Sequence, residues 1–246
     1  LPIEAGQTIS QPYIVARMIE VMRAKGFHGP ATVVPNAVDA ALFRPIDRAA
    51  CRKQFGFSGF TVGYIGRFVE RKGIQDLIAA VARCPSDVRA VLVGSGEYLP
   101  ALQRQIAQLA LQNRIQILPQ VAPHELTPIL NAIDALVLPS RTVPTWKEQF
   151  GRVIIEAHAC ETPVIGSDSG AIPEVVGGAG RIYAEGNVDA LAEAITGMAR
   201  HPDAARDMGR LGRIQVNQKY TWQRVAERMY SIYLAVGRSP RQERHP

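Results

Sequence analysis

KEQFGRVIIEAHACETPVIGSD, residues 147–168, reads as a loop, a helix and a strand in direct succession. Gly151 can open a helix, and residues 152–160 are apolar on nearly every side, which is typical of a buried helix rather than an amphipathic one. Val164 and Ile165 then start a strand. The stretch therefore predicts one helix-strand unit of an α/β protein.

Two glutamates in this stretch are candidate site residues. Glu156 lies inside the apolar helix, where a carboxylate needs either a basic partner or hydrogen-bond donors from a ligand, such as sugar hydroxyls. Glu148 precedes it in a polar loop, so both carboxylates can line one pocket, with Glu148 at the rim and Glu156 on the second turn. The alternative is a structural Glu156 paired with a core arginine and a solvated Glu148. Spacing alone leaves both interpretations open.

The pattern E-Q-F-G-R-V-I-I-E-A-x-A-C-x-T-P-V-I resembles the signature of retaining glycosyltransferases with the GT-B fold, family four, which transfer a sugar from a nucleotide-sugar donor. The resemblance implies that Glu156 holds the ribose hydroxyls of the nucleotide. It also implies that Glu148, with the backbone of Phe150 and Gly151, holds the donor sugar. The sequence departs from the pattern at two positions: His158, where Met is common, and Glu161, where Gly often serves a tight turn with positive φ.

A second candidate site lies in residues 60–81, FTVGYIGRFVERKGIQDLIAAV. An apolar strand through Ile65 ends at Gly66, a basic loop follows, and apolar residues at helical spacing then predict a helix. Ligands of open α/β sheets bind at the carboxyl ends of the strands, so Arg67 and Lys72 can clamp a diphosphate. The alternative is a solvated charged loop, which is the prediction for Arg71.

The pattern G-R-x-x-x-x-K-G of the same family favours the clamp. The resemblance implies that Gly66, Arg67 and Lys72 bind the donor. It further implies that Arg67, Lys72 and Glu148 act in catalysis by stabilising an oxocarbenium-like transition state.

The rest of the chain alternates strands and helices. Further strands are predicted over residues 90–93, 115–118, 135–138 and 181–183. Further helices are predicted over residues 99–111, 124–132, 188–199, 204–216 and 222–236. This alternation predicts an α/β fold with a Rossmann-like parallel sheet and helices on both faces, one half of a GT-B architecture.

The sequence also predicts roles for several single residues. By resemblance, the loop with Gln120 and Val121 lies near the nucleotide base and contacts it mostly through backbone. Ser169 is a plausible cap for a short helix, and Thr221 is a good N-cap for the last helix. Trp222 and Met229, on that last helix, are interpreted as packing residues.

Residues 1–32 are interpreted as a leading helix and linker, a remnant or fused segment. GQTISQPYIVARM, residues 6–18, resembles a segment of protein-L-isoaspartate O-methyltransferases, but no glycine-rich loop for S-adenosylmethionine follows. The preferred interpretation is a helix over residues 13–25 ended by Gly26. VVPNAVDAALFRP, residues 33–45, resembles a linker into a donor domain, and its turn formers Pro35, Asn36 and Asp39 predict a loop.

Composition narrows the class of protein. The chain has 246 residues, 47% hydrophobic and 20% charged, with no run of about 20 apolar residues. The start lacks a signal-peptide pattern and the three cysteines are widely spaced, so we expect a cytoplasmic protein, with peripheral membrane association allowed. A net charge of +6 suits anionic donors, acidic lipid or nucleic acid, but no basic run interleaved with aromatics supports nucleic acid. We expect neither a metal nor a cofactor besides the donor.

Residues 33–236 are therefore expected to form a nucleotide-sugar binding domain, and residues 237–246 a disordered basic tail. The acceptor half of the family, with its glycine-rich loop and catalytic-region histidine, cannot be mapped to residues 1–40. We expect a donor-binding domain of a retaining glycosyltransferase, inactive without an N-terminal acceptor domain or subunit, and with an unknown acceptor. The alternative is a non-catalytic nucleotide or nucleotide-sugar binding module. A methyltransferase-related fusion is a distant third.

Overall fold

Six parallel strands form one sheet in the computed structural model, which describes residues 20, 21, 23–26 and 34–237. The strands are β1 Phe60–Ile65, β2 Val88–Val93, β3 Ile115–Leu118, β4 Ala135–Leu138, β5 Val164–Ser167 and β6 Gly180–Tyr183. The α-helices from residue 34 onward are α1 Arg48–Phe55, α2 Ile74–Arg83, α3 Leu99–Gln108, α4 Pro123–Ala132, α5 Arg152–Ala159, α6 Ile172–Val176, α7 Val188–Arg200, α8 Pro202–Lys219 and α9 Trp222–Gly237. The methyltransferase-like residues 6–18, most of the leading helix and the tail beyond residue 237 lie outside the described residues.

The strand order is β3-β2-β1-β4-β5-β6, which confirms the predicted Rossmann-like sheet. Residue pairs such as Val62 with Ala90 and Val62 with Ala135 make β1 the partner of both β2 and β4. The order therefore reverses between β1 and β4. In open α/β sheets, ligands bind at this switch point, outside the carboxyl ends of the strands. The loops after β1 and β4 thus become the place to look for a site.

Both faces of the sheet carry helices, as predicted. Tyr64 and Leu92 point into one core, which they share with α2, α3 and α7. Leu136 and Val164 point into the other core, which they share with α4, α5, α6 and α8. The central strands β1, β2, β4 and β5 are buried on both faces and therefore read as apolar runs in the sequence, which is why the sequence located them well.

Helix α1 was not predicted from the sequence. Of its residues only Cys51 is buried, so the helix has almost no apolar stripe to detect. Its Arg48 and Arg52 side chains instead hold Asp134 at 2.5 and 2.9 Å, just before β4. The signals present were at its ends, where Asp47 caps the first turn and Gly56 closes the last with φ of 68°.

Helix α9 corrects the interpretation of two residues. Thr221 is the predicted N-cap, since its Oγ1 accepts a hydrogen bond from Arg224 N at 3.2 Å. Trp222 and Met229, however, are 64% and 39% exposed, so neither is buried in the core. Helical spacing indicates an apolar stripe but not what covers it, and among the side chains of α9 that the structure describes, Val225 is buried.

The turn from α5 to β5 keeps its left-handed backbone without a glycine. Glu161 adopts φ of 58°. The turn is packed against α8, because a Cβ on Gly209 would lie 1.9 Å from the Glu161 carbonyl oxygen. Glu161 stands where the family pattern has Gly. It therefore keeps the left-handed backbone of the turn, at the energetic cost of strain at a residue that is not glycine.

His158 is a fully buried residue of α5, on the side that faces α8. Its ring packs on Gly212, where a Cβ would lie 2.7 Å from the ring. Neither ring nitrogen meets hydrogen-bond geometry with a described residue. Burial lowers the pKa of His158 to about 4, against a smaller raising effect of the backbone at Ala179.

We expect His158 to make the protein sensitive to acid. Its pKa is lower in the folded chain than in the unfolded chain, so its contribution is present above about pH 6.5 and is lost as the pH falls towards about 4. Between about pH 7 and about pH 5 this loss is about 2 kcal/mol of unfolding free energy. His158→Met should flatten the pH dependence by that amount in urea denaturation, whereas the exposed His124→Gln should not. Parallel curves for wild type and His158→Met would contradict the assignment.

Candidate functional site

The loops at the carboxyl edge of the sheet pack backbone against backbone. A Cβ on Gly73, in the loop after β1, would lie 1.8 Å from the carbonyl oxygen of Pro139, in the loop after β4. A Cβ on Gly170, after β5, would lie 1.8 Å from the carbonyl oxygen of Glu148. Both glycines have positive φ, 69° and 58°. Side chains at these positions would push the loops apart, so the glycines allow the site to assemble.

Lys72 and Glu148 meet across the switch point. Lys72 Nζ lies 2.6 Å from Glu148 Oε2, and Ser140 Oγ donates to the same oxygen at 2.9 Å. Glu148 is only 8% exposed, so the alternative of a solvated Glu148 is wrong, and the residue lies deeper than the predicted rim. No described contact falls on Glu148 Oε1, which leaves that oxygen for a ligand. Ser140 was missed from the sequence, although its place directly after β4 was a usable signal.

Arg67, in the same loop as Lys72, is exposed at the carboxyl end of β1. Its carbonyl oxygen accepts a hydrogen bond from Tyr64 Oη at 2.9 Å, which holds the backbone of the loop. Among the residues that the structure describes, its guanidinium has no hydrogen-bond or ion-pair partner. Arg67 is therefore ready to bind an anion from solvent, whereas Lys72 already has a partner.

Arg71 was predicted to be solvated, and this is wrong. Its side chain is half-buried, and its guanidinium carbon lies 5.2 Å from the centre of the Trp146 ring. Trp146 was not singled out from the sequence, although a tryptophan in a polar loop next to Glu148 was a signal. A cation this close to an aromatic face is attracted by the ring quadrupole, which explains why Arg71 leaves solvent.

The loop that carries Trp146 is fixed at its base. Arg141 Nε donates to Asp76 Oδ2 at 2.7 Å, and Arg141 Nη2 donates to Asp76 Oδ1. This hydrogen bonding raises the pKa of Arg141. Thr142 N donates to Glu185 Oε2 at 2.9 Å. The loop borders an open cavity of about 620 Å³, lined by Thr142, Val143, Pro144, Thr145, Trp146, Lys147 and Gln149.

Glu156 lies on the second turn of α5 with a side chain that is 12% exposed. Its contact is Arg152 Nη2 at 3.4 Å, one turn earlier, and that arginine side chain is 67% exposed. Burial raises the pKa of Glu156, and Arg152 opposes this only in part. The core-arginine alternative is therefore wrong, because the partner is a surface residue at long range. A carboxylate this poorly compensated suits donors from a ligand.

Phe150 and Gly151 form the start of α5. The Phe150 ring packs edge-on against Tyr220 with 5.8 Å between ring centres, so its side chain belongs to the core and its backbone remains for a ligand. Gly151 precedes the helix with φ of 73° and no side-chain cap. The first N–H groups of such a helix lack intrahelical partners and favour oxygen-rich ligands.

Two other predicted regions flank these residues. Gln120 and Val121 follow β3, and Gln120 Oε1 accepts a hydrogen bond from Ser95 Oγ at 3.1 Å. Ser169 is not a side-chain cap of α6, because its hydroxyl pairs with Thr142 Oγ1 at 3.0 Å instead. The hydroxyl thus ties the loop after β5 to the loop after β4.

Within the described part of the chain, no three His, Cys, Asp or Glu side chains converge to hold a metal ion. Among the same residues, no helix combines the length and apolarity needed to cross a bilayer.

A Rossmann-like sheet with a basic loop after β1 and a buried, paired carboxylate after β4 defines an α/β domain whose candidate site lies at the switch point of the sheet. Residues 47–215 match the model of the family described as Glycosyl transferases group 1. The chain belongs to this family of glycosyltransferases.

One similar protein is the GDP-mannose-dependent monoacylated alpha-(1-6)-phosphatidylinositol monomannoside mannosyltransferase of Corynebacterium glutamicum. It is 33% identical over 220 residues, which cover 85% of this chain and 57% of that protein. The chain spans about half the length of the curated relatives it matches.

Solved structures agree with the fold and the family. Sucrose-phosphate synthase from Thermosynechococcus elongatus is 30% identical with a TM-score of 0.76, over 89% of this chain and 56% of that chain. HepE from Anabaena, in complex with UDP and glucose, is 26% identical with a TM-score of 0.79, over 92% of this chain and 62% of that chain. The GT-B-like neighbours thus confirm the predicted fold class.

We expect Glu156→Gln to leave the empty protein as stable as the wild type or more stable. The raised pKa means that the folded state disfavours the charge, so the wild type loses stability as the pH rises from about 4.5, the ordinary value of a glutamate, through the raised pKa of Glu156. Urea denaturation without ligand should show this, and Arg152→Gln should be near neutral as the matched control. A loss of about 3 to 5 kcal/mol in Glu156→Gln would instead indicate a buried ion pair.

Proposed function

We propose that residues 33–236 bind a nucleotide-sugar donor at the carboxyl edge of the sheet, for retaining glycosyl transfer of the family-four type to an acceptor. The observation that carries this proposal is the Lys72–Glu148 pair at the switch point, beside an exposed Arg67 that has no partner among the described residues. The cationic side chains of Lys72 and Arg67 match the diphosphate of a nucleotide-sugar, and the Glu148 carboxylate matches its sugar. The UDP and glucose in the HepE structure support the same ligand class.

The donor's diphosphate would bind Arg67 through its fork and Lys72 as a point charge. Gly66, which ends β1, would let the phosphates approach the backbone. As the glycosidic bond breaks, negative charge grows on the diphosphate and positive charge on the sugar. Arg67 and Lys72 stabilise the former, and the Glu148 carboxylate stabilises the latter.

The sugar and the nucleoside would bind the other predicted residues. Glu148 Oε1 accepts a sugar hydroxyl, and the backbone of Phe150 and Gly151 donates to the sugar. Glu156 accepts hydrogen bonds from the ribose hydroxyls. The base contacts the backbone near Gln120 and Val121, so these side chains do not select the base.

The alternative is a nucleotide-sugar binding module without turnover. Since the chain spans about half the length of its relatives, we propose that transfer needs the acceptor-binding remainder, as a domain or a subunit. The positioned acceptor and the water-excluding cleft that catalysis requires would come from that part.

The binding proposal is tested by calorimetric titration with UDP and GDP, and with their sugars. We expect Arg67→Ala and Lys72→Ala each to weaken binding of the preferred diphosphate by about 1.5 to 3 kcal/mol, because each removes a charge-assisted contact. A 2′-deoxyribose form should bind less tightly than the ribose form. The exposed Arg104→Ala, on α3, is the matched control and should change nothing.

The two site variants should differ in the empty protein. Arg67→Ala should keep its stability, whereas Lys72→Ala should lose stability because it leaves the buried Glu148 carboxylate with only the Ser140 hydroxyl. Unchanged affinity for a diphosphate in both variants would refute the clamp.

The transfer proposal makes a separate prediction. The 246-residue chain should bind a donor yet show negligible transfer of its sugar, while addition of an acceptor-binding half should restore transfer. Mass spectrometry of reactions with the bound donor and a panel of acceptors measures this. Sustained transfer by the chain alone would overturn the requirement.

A further inference from the structure

Trp146 lies in contact with both cations of the turn after β1. Its ring centre is 4.7 Å from Lys72 Nζ and 5.2 Å from the guanidinium carbon of Arg71. Both distances are within the range of about 6 Å over which a cation is attracted to an aromatic face. Arg71 and Lys72 carry like charges and repel each other. The attraction of each cation to the half-buried Trp146 ring offsets that repulsion.

Lys72 is consequently held at two points before any ligand arrives. Its ammonium lies 2.6 Å from Glu148 Oε2 on one side and against the indole of Trp146 on the other. An ammonium has three N–H donors, so this arrangement leaves donor capacity for a third partner. A lysine side chain loses rotamer freedom when it binds a partner, and a ligand that meets an already ordered ammonium avoids much of that entropic cost.

The indole is placed by the backbone of its loop. Arg141 N donates to the Arg71 carbonyl oxygen at 2.8 Å, which joins this loop to the basic turn. Val143 and Trp146 exchange two backbone hydrogen bonds of 2.8 and 3.0 Å, which turn the loop back towards Lys72. The Arg141–Asp76 pair anchors the same segment. Replacing the indole alone should therefore leave the loop in place.

We propose that Trp146 is a positioning residue for the diphosphate of the donor. It acts through Lys72: the indole holds the ammonium where one N–H reaches Glu148 and another reaches a phosphate oxygen. It also keeps Arg71 stacked, so that Arg67 and Lys72 are the cations that meet the ligand. This inference rests on the proposed function of the site and adds a specific residue to it.

The test compares Trp146→Leu with Trp146→Phe by calorimetric titration. The probes are UDP or GDP, whichever the wild type binds, and the matching nucleoside without phosphates. Trp146→Leu should weaken diphosphate binding about tenfold, which is about 1.4 kcal/mol, since the partly desolvated cation–π contact with Lys72 is lost. Nucleoside binding should be unchanged, and Trp146→Phe should recover most of the loss. Trp222→Phe, at the other tryptophan, should behave as wild type.

A double-mutant cycle with Lys72→Met shows whether Trp146 acts through Lys72. In the Lys72→Met background, Trp146→Leu should cause no further loss of diphosphate affinity. The same tenfold loss in that background, or an equal loss for diphosphate and nucleoside, would assign Trp146 a merely structural role and overturn the inference. If wild type binds diphosphate and Trp146→Leu matches it, the inference alone fails. If wild type binds no nucleoside diphosphate, the proposed function fails and takes the inference with it.

Discussion

The ion pair between Lys72 and Glu148 is the interaction on which the site depends, because it joins the loops that follow β1 and β4. Those loops are far apart in the sequence, but they lie next to each other in the fold at the point where the strand order reverses. The pair forms only if the two backbones can touch, and Gly73 against Pro139 provides that contact. One charge pair and one missing side chain thus bring the two loops together at the candidate site.

The sequence predicted most of the fold because its four central strands, β1, β2, β4 and β5, are buried on both faces and form apolar runs. β3 and β4 begin and end at the predicted residues, β1 ends at the predicted Ile65, and the other predicted strands and helices differ by a few residues at their ends. Helix α1 was missed because it is stabilised by charged contacts to Asp134 rather than by an apolar stripe. The helix α9 and its N-cap Thr221 were predicted correctly, but the packing role of Trp222 and Met229 was wrong, because helical spacing does not show whether another part of the chain covers those side chains.

The carboxylates and cations of the candidate site could be singled out from the sequence, since Arg67 and Lys72 lie in the loop after a strand and Glu148 and Glu156 belong to one loop-helix pattern. The connections within the site were not predictable. Lys72 and Glu148 are far apart in the sequence, and so are Asp76 and Arg141. Local residue spacing therefore could not predict these pairs. For the same reason Arg71 was predicted to be solvated, whereas its partner Trp146 comes from the opposite loop. The roles of the predicted residues toward a donor stay predictions until a ligand is bound.

The chain contains two tryptophans, and the fold gives them opposite surroundings. Trp146 is half-buried against two cations in the candidate site, whereas Trp222 is 64% exposed at the start of α9. Indole emission responds to local polarity and charge, so intrinsic fluorescence combines one reporter of the site with one reporter of solvent. With Trp222 replaced by phenylalanine, the remaining emission would follow the environment of Lys72 directly. The molecule thereby carries its own optical probe, and no dye needs to be attached near the ion pair.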